Sequence, residues 1–227
     1  MKTILVVAAH PDDEILGCGA TMARLARAGA DVHIAIMGEG ATSRADSRSA
    51  ADRGAVASLE RDARRAAEVV GARAVTLFGL PDNRFDTLAL LDVVKPIEAL
   101  IARLSPDAIF THHHGDLNVD HQIVNRAVLT ATRPKPGMPV REVLAFEIAS
   151  STEWSFQHLQ PAFHANTFFD VSDTLAAKTR AIGCYETEVC AFPHPRSPEA
   201  LEAIARRWGS VVGCRAAEAF EVIRSIR

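Results

Sequence analysis

The chain has 227 residues, enough for one α/β domain built on a single core and short for two. Its 48% apolar and 23% charged residues, with a formal net charge of −3, describe an ordinary globular protein and imply no basic face that would make nucleic acid the expected partner. Apolar runs such as residues 4–9 are strand-sized, far below the ~20 residues of a membrane-spanning helix. The first of them ends in His-Pro-Asp-Asp-Glu rather than a small-residue cleavage site, so a cytoplasmic chain is expected. The four cysteines, Cys18, Cys184, Cys190 and Cys214, form no Cys-x-x-Cys pair and read as reduced core residues.

In chain order, residues 3–9 are a continuous apolar run rich in β-branched side chains, as expected for a strand buried on both faces. A helix is predicted over 14–28, closed by Gly29, then a strand over 31–37 and a charged amphipathic helix over 51–70 that stops at Gly71. A third strand follows at 74–78. Leu90, Val94, Ile97, Ile101 and Leu104 mark one face of a helix over 88–104. A strand at 108–111, a helix at 119–132 and a strand at 143–148 continue the alternation. The last third is less regular: a short strand at 168–171, a helix capped by Asp173 and running to Ala181, a proline-broken loop, and a final helix over 198–212. Strands alternating with helices predict a Rossmann-like three-layer α/β sandwich with a mostly parallel sheet, and no linker divides residues 1–227 into two domains.

In such a sheet ligands bind outside the carboxyl ends of the strands. The loop after the first strand holds His10, Asp12, Asp13 and Glu14 within five residues, more titratable groups than packing requires. His10 and Asp13 can reach one ion in a tight turn, imidazole and carboxylate suiting a borderline metal such as zinc, while Asp12 is left to move protons. Helix capping accounts for one of these acids but not for the set. The segment Thr111-His-His-His-Gly-Asp-Leu-Asn-Val-Asp-His121 leaves the fourth strand at the same edge and carries four of the nine histidines. A catalytic zinc usually takes three protein ligands and keeps a position for water. The first loop offers two; the second can supply the third, and His121, which opens a helix, has Asp120 beside it as an outer partner.

The opening, Val-Val-Ala-Ala-His10-Pro-Asp-Asp-Glu14-Ile-Leu-Gly-Cys-Gly19, together with Asn118-x-Asp120-His121, Leu80-Pro-Asp82 and Ala217-Glu-Ala-Phe220, resembles the PIG-L/LmbE-like family of zinc-dependent de-N-acetylases over most of the chain. The resemblance implies a Rossmann-like fold, hydrolysis of the acetamide of a small-molecule amino sugar, zinc on His10, Asp13 and His121, Asp12 as general base, and often a homo-oligomer. One position departs from it. Where many members have a histidine three residues before the last ligand, this chain has Asn118, which can donate a hydrogen bond but cannot deliver a proton at neutral pH. The acid for the leaving amine then falls to His114, His194 or a protonated Asp12.

Further polar residues lie at the expected active edge. Asp82 and Arg84 follow the third strand and are read as grips for sugar hydroxyls or a phosphate. Arg196, after His194 in a loop stiffened by prolines, suits an anionic group on the substrate. Arg44 and Glu147 are further candidates for substrate contacts, and Trp154 serves equally as a sugar platform or as core. Two other readings are a zinc amidase acting on a non-sugar N-acyl conjugate and a non-catalytic nucleotide-binding module. The latter rests on Gly17-x-Gly19, which lacks the third glycine of the dinucleotide pattern.

Overall fold

The structure is a computed structural model that describes residues 1–41 and 53–227. Seven strands form one sheet in the order β3-β2-β1-β4-β5-β7-β6, where β1 is Thr3–Ala8, β2 Asp31–Gly38, β3 Ala74–Leu80, β4 Ala108–His112, β5 Glu142–Phe146, β6 Thr167–Asp170 and β7 Ala217–Ser225. The first five strands are parallel; β7 runs antiparallel between β5 and β6. The helices are α1 (Asp13–Arg27), α2 (Arg53–Val70), α3 (Leu90–Leu104), α4 (Val119–Ala131), α5 (Leu175–Ile182) and α6 (Pro198–Val212).

Alternation along the strands builds the layers, because successive strand side chains point to opposite faces. Ile4, Val6, Ile34 and Ile36 pack with Phe110 and Phe146 against α1, α2 and α5. Leu5, Val7, Ala35 and Met37 pack on the other face against Val93, Val94 and Ile97 of α3 and Val124 and Val128 of α4. The mostly parallel three-layer arrangement is the predicted one.

The long strand β7 was not anticipated. Residues 217–225 close no local hairpin, and they pair with β5 and β6, which lie far upstream in sequence. The sheet reverses its order between β1 and β4, and a parallel sheet opens a crevice at that switch point. The loops leaving β1 and β4 are the two motif loops. Gly17 and Gly19 lie inside α1 rather than in a phosphate-binding turn. A Cβ on Gly17 would stand 2.6 Å from Cγ of Phe146, so close helix–sheet packing accounts for this glycine.

Candidate active site

The loop after β1 folds on its own acids. Asp13 Oδ2 accepts the His10 N–H at 2.8 Å, and Asp12 takes a positive φ of 106° that a non-glycine residue seldom adopts. Asp12 occupies the N-cap position of α1, yet its side chain makes no cap hydrogen bond, which removes the simple capping account. Its N–H is held by Glu14 Oε2 at 3.1 Å, and Glu14 Oε1 accepts the Tyr185 hydroxyl at 2.6 Å.

Asp13 Oδ2 is the centre of the cluster. It stands 3.3 Å from His10 Nδ1 and 3.2 Å from His121 Nε2. Donor atoms of these three residues all lie within 4.8 Å of one another. Each imidazole has a carboxylate at its other nitrogen: Asp120 Oδ2 lies 3.0 Å from His10 Nε2, and Asp116 Oδ1 lies 3.0 Å from His121 Nδ1. Asp116 is itself braced by the hydroxyls of Ser151 and, at 2.6 Å, Thr152.

Asp120 therefore faces His10 and the Phe85 N–H (2.9 Å), not the histidine beside it in sequence. Asp116 occupies the place behind His121 that was expected of Asp120. Sequence reasoning assigned no role to Asp116, Glu14 or Tyr185; the only signal in the letters was the place of Asp116 and Glu14 within the two motif segments, and the burial of Asp116 emerges only from the fold.

Charges follow from burial and these contacts. Burial disfavours the charged form of His10, but the Asp120 and Asp13 carboxylates outweigh it and raise its pKa to about 10. His121 is likewise lifted to about 9 by Asp13 and Asp116 against burial. Despite burial, the Asp13 carboxyl is held well below the usual range by His121 and His10, and Asp116 is held at about 2 by His121, Ser151 and Thr152. Asp12 rises to about 7 because burial outweighs the Arg196 charge, and burial takes Glu14 to about 8. His112, stacked on His121 with ring centroids 4.0 Å apart, is pushed well down by burial and the His121 charge. Its Nε2 accepts the Ala9 N–H at 2.8 Å, so this ring is a neutral brace under His10.

The cluster opens on a cleft of about 500 Å³ lined by Asp12, Asp82, Asn118, His121, Trp154 and Arg196 among others. Several expected residues sit differently from their predicted roles. Asn118 lines the cleft, but its Oδ1 caps α4 through the Asp120 N–H (2.8 Å) and its amide donates to Asn83 Oδ1 (2.9 Å). Asp82 is buried with Oδ1 3.2 Å from His10 Nε2, which turns its carboxylate to the metal-type cluster rather than outward to a sugar.

Arg196 reaches the cleft, but its guanidinium is engaged by Asp12 Oδ2 (2.9 Å) and Ser150 Oγ (2.7 Å) rather than extended toward an anionic ligand. Arg84 is exposed and does not line the cleft. His114 is also exposed and faces a separate groove beside His113 and Glu221, because the chain has already left β4 at His112. His194 is at the rim, edge-on to Trp154 at 5.7 Å, with Nδ1 accepting the Arg196 N–H at 3.1 Å. Glu147 lines a different cavity under α6, where it accepts the Trp208 indole N–H at 2.6 Å. Arg44 lies outside the described residues.

Residues 5–132 match the PIG-L model, GlcNAc-PI de-N-acetylase. The chain belongs to the PIG-L family. It is 30% identical over 155 residues to the uncharacterized deacetylase YaiS of Escherichia coli, an alignment covering 66% of this chain and 76% of that protein. It is also 30% identical over 150 residues to a probable N-acetyl-α-D-glucosaminyl L-malate deacetylase 2 of Bacillus cereus, covering 63% and 68% respectively. Two solved structures share the fold at low identity. The N,N'-diacetylchitobiose deacetylase of Pyrococcus horikoshii superposes with a TM-score of 0.77 at 18% identity, covering 98% of this PIG-L chain and 84% of that one. The 4-carboxy-2-hydroxymuconate hydratase GalB of Pseudomonas putida superposes with a TM-score of 0.75 at 23% identity, covering 100% and 98%. A deacetylase and a hydratase thus share one architecture, so the fold alone does not set the chemistry. Among the described residues no helix is long and apolar enough to cross a membrane.

Proposed function

We propose that this PIG-L chain is a zinc-dependent hydrolase that removes the acetyl group from an N-acetylated amino sugar, with His10, Asp13 and His121 holding the metal. The observation that carries the reading is the position of Asp13 Oδ2, 3.2–3.3 Å from a nitrogen of each histidine. Ligands ~2.0 Å from a tetrahedral ion stand about 3.3 Å apart, which the two distances from Asp13 Oδ2 match, and the donors of the two histidines lie within 4.8 Å of each other. The buried carboxylates on the outer nitrogens of both histidines are the usual partners of metal-bound imidazole. The family match and the two relatives support the deacetylase chemistry, and the family match and the Bacillus cereus relative support the sugar class.

A zinc ion there would acidify a water and polarise the acetamide carbonyl. Asp12, at the cleft wall with Oδ1 free of hydrogen bonds among the described residues, takes the proton from the attacking water. Asn118 has its carbonyl engaged as a helix cap, so only its amide can face an oxyanion, and it carries no transferable proton. His114 points elsewhere and His194 stays at the rim, which leaves Asp12 to return the proton to the departing amine at Oδ1. Acetate and the free amino sugar are the products.

The test is acetate release by zinc-loaded protein from free, nucleotide-linked and lipid-linked N-acetylhexosamines, with a chelator-treated control. Acetate from at least one sugar, abolished by chelation and restored by zinc, is the expected result. Release from none of the three classes, or release indifferent to chelation, rejects this function.

A further inference from the structure

Asp12 carries a strained backbone and a side chain only 3% exposed, and such a group keeps one orientation only if its surroundings impose it. The restraint comes from the other end of the chain. Arg196 Nη1 donates to Asp12 Oδ2 at 2.9 Å, and Arg196 Nε donates to Ser150 Oγ at 2.7 Å. Glu188 Oε2 lies 3.6 Å from the same Nη1. The stem of Arg196 is fixed as well. Its N–H is bonded to His194 Nδ1 at 3.1 Å, and the next residue, Ser197, caps α6 through the Ala200 N–H at 3.1 Å, with Pro198 opening the helix.

We propose that Arg196 is a positioning residue for Asp12: it holds Oδ2 against the cleft wall so that Oδ1 alone is presented to the reacting atoms. The inference rests on the reading of Asp12 as the proton-handling group. It differs from the sequence expectation for Arg196, which was recognition of an anionic part of the substrate. A guanidinium suits this post because its fork serves two acceptors in fixed directions, whereas an ammonium is a point charge. The loop between α5 and α6 thereby becomes part of the catalytic apparatus, although no atom of it belongs to the metal-type cluster.

Two measurements on metal-loaded protein test the assignment. The first needs no activity: urea midpoints of Asp12→Asn, Arg196→Gln and the double variant. The expected result is non-additivity, with Arg196→Gln costing clearly less once Asp12 has lost its charge; additive costs overturn the pairing. The second is steady-state deacetylation. Arg196→Gln should lower kcat by about 10- to 100-fold, the scale of a misplaced catalytic group, with KM within about twofold. Arg196→Lys should recover part of the loss, and Ser150→Ala, which removes only the brace on Nε, should lower kcat by a few-fold. Ser150→Ala keeps the question open to decision if Arg196→Gln does not fold.

Unchanged kcat in the variants, or a loss confined to KM, overturns the positioning role; the latter result would return Arg196 to substrate binding. A wild-type protein that releases no acetate would instead count against the proposed function, and the urea cycle would still decide the pairing.

Discussion

Asp120 Oδ2 lies 3.0 Å from His10 Nε2, across the cleft floor, and turns away from His121, its neighbour in the chain. Adjacent residues on a helix project about 100° apart and cannot serve one another, so Asp120 and His121 necessarily address different partners. Asp116, in the loop before α4, takes the place behind His121. The two histidines proposed as ligands thus each face a separate carboxylate. Asp120→Asn and Asp116→Asn should each weaken zinc affinity by about 10- to 100-fold. Competition with a chromophoric chelator measures this, and wild-type affinity in both variants would show that neither acid orients a ligand.

Zinc uptake should release protons, because the metal-free site stores them. His10 and His121 have pKa values raised to about 10 and about 9, so both are charged at neutral pH without metal and must become neutral to ligate it. Apparent affinity should therefore rise as the pH is raised toward 9. Stability has the opposite sign in chelated protein. Both histidines bind protons more tightly folded than unfolded, so their contribution is fully present below the unfolded value near 6.5 and is lost as pH rises through about 9 to 10. Asp12 and Glu14, raised to about 7 and about 8, act in the same direction at the lower end of that window. Thermal midpoints of chelated protein should fall between about pH 7 and about pH 10, and the gap to zinc-loaded protein should widen. A flat profile would mean the metal-free cluster is not protonated as its contacts imply.

Much of this site was legible in the letters because its two motif segments leave strand ends, and strand ends in a parallel sheet gather at one edge. His10, Asp13 and His121 needed only the alternation pattern to be placed together. What could not be read was direction beyond the end of a strand. His112, His113 and His114 are consecutive, yet one braces β1, one contacts Glu221 and one is exposed. Glu147, one residue past β5, falls on the far side of the cleft wall and faces α6. The strand β7 was missed for a different reason: its partners β5 and β6 are remote in sequence, and no turn signal announces such pairing. Arg196 stood out in the letters for its proline-stiffened loop as a grip for an anionic group, but its partner in the structure, Asp12, lies at the opposite end of the chain.

Substitutions in the cleft should separate metal loss from loss of chemistry. His121→Ala removes a donor and should abolish stoichiometric zinc. Asp12→Asn leaves all three donors and should retain the metal while losing about 10²- to 10⁴-fold in kcat, the usual scale of a general base. Asn118→Ala should cost less than Asp12→Asn, since its carbonyl is already committed to the α4 cap and its loss there weakens a helix end rather than a proton transfer. Metal content by elemental analysis and kcat by acetate release give the two readings. Asp12→Asn turning over at the parental rate would displace Asp12 from the mechanism, and a larger loss in Asn118→Ala would transfer the main role to the cap residue.

Tyr185 and Glu14 offer a test of how the first loop is held. Tyr185 is fully buried, and its hydroxyl is the donor to Glu14 Oε1 at 2.6 Å, while Glu14 Oε2 secures the Asp12 N–H. Tyr185→Phe keeps the ring and deletes the donor. A buried acceptor stripped of its partner costs about 1–3 kcal/mol, more when it is charged. Glu14 has its pKa raised by burial to about 8, so the folded state binds this proton more tightly than the unfolded chain, and its stabilising contribution is lost as pH rises through that value. Without the hydroxyl the charged form loses its nearest donor and the pKa should climb further. The destabilisation by Tyr185→Phe should accordingly be larger at about pH 9, where Glu14 must ionise or hold its proton at a cost, than at about pH 6, where it is neutral in any case. Urea unfolding at the two pH values measures the difference. Equal penalties at both would indicate that the Tyr185 hydroxyl does not govern the charge on Glu14.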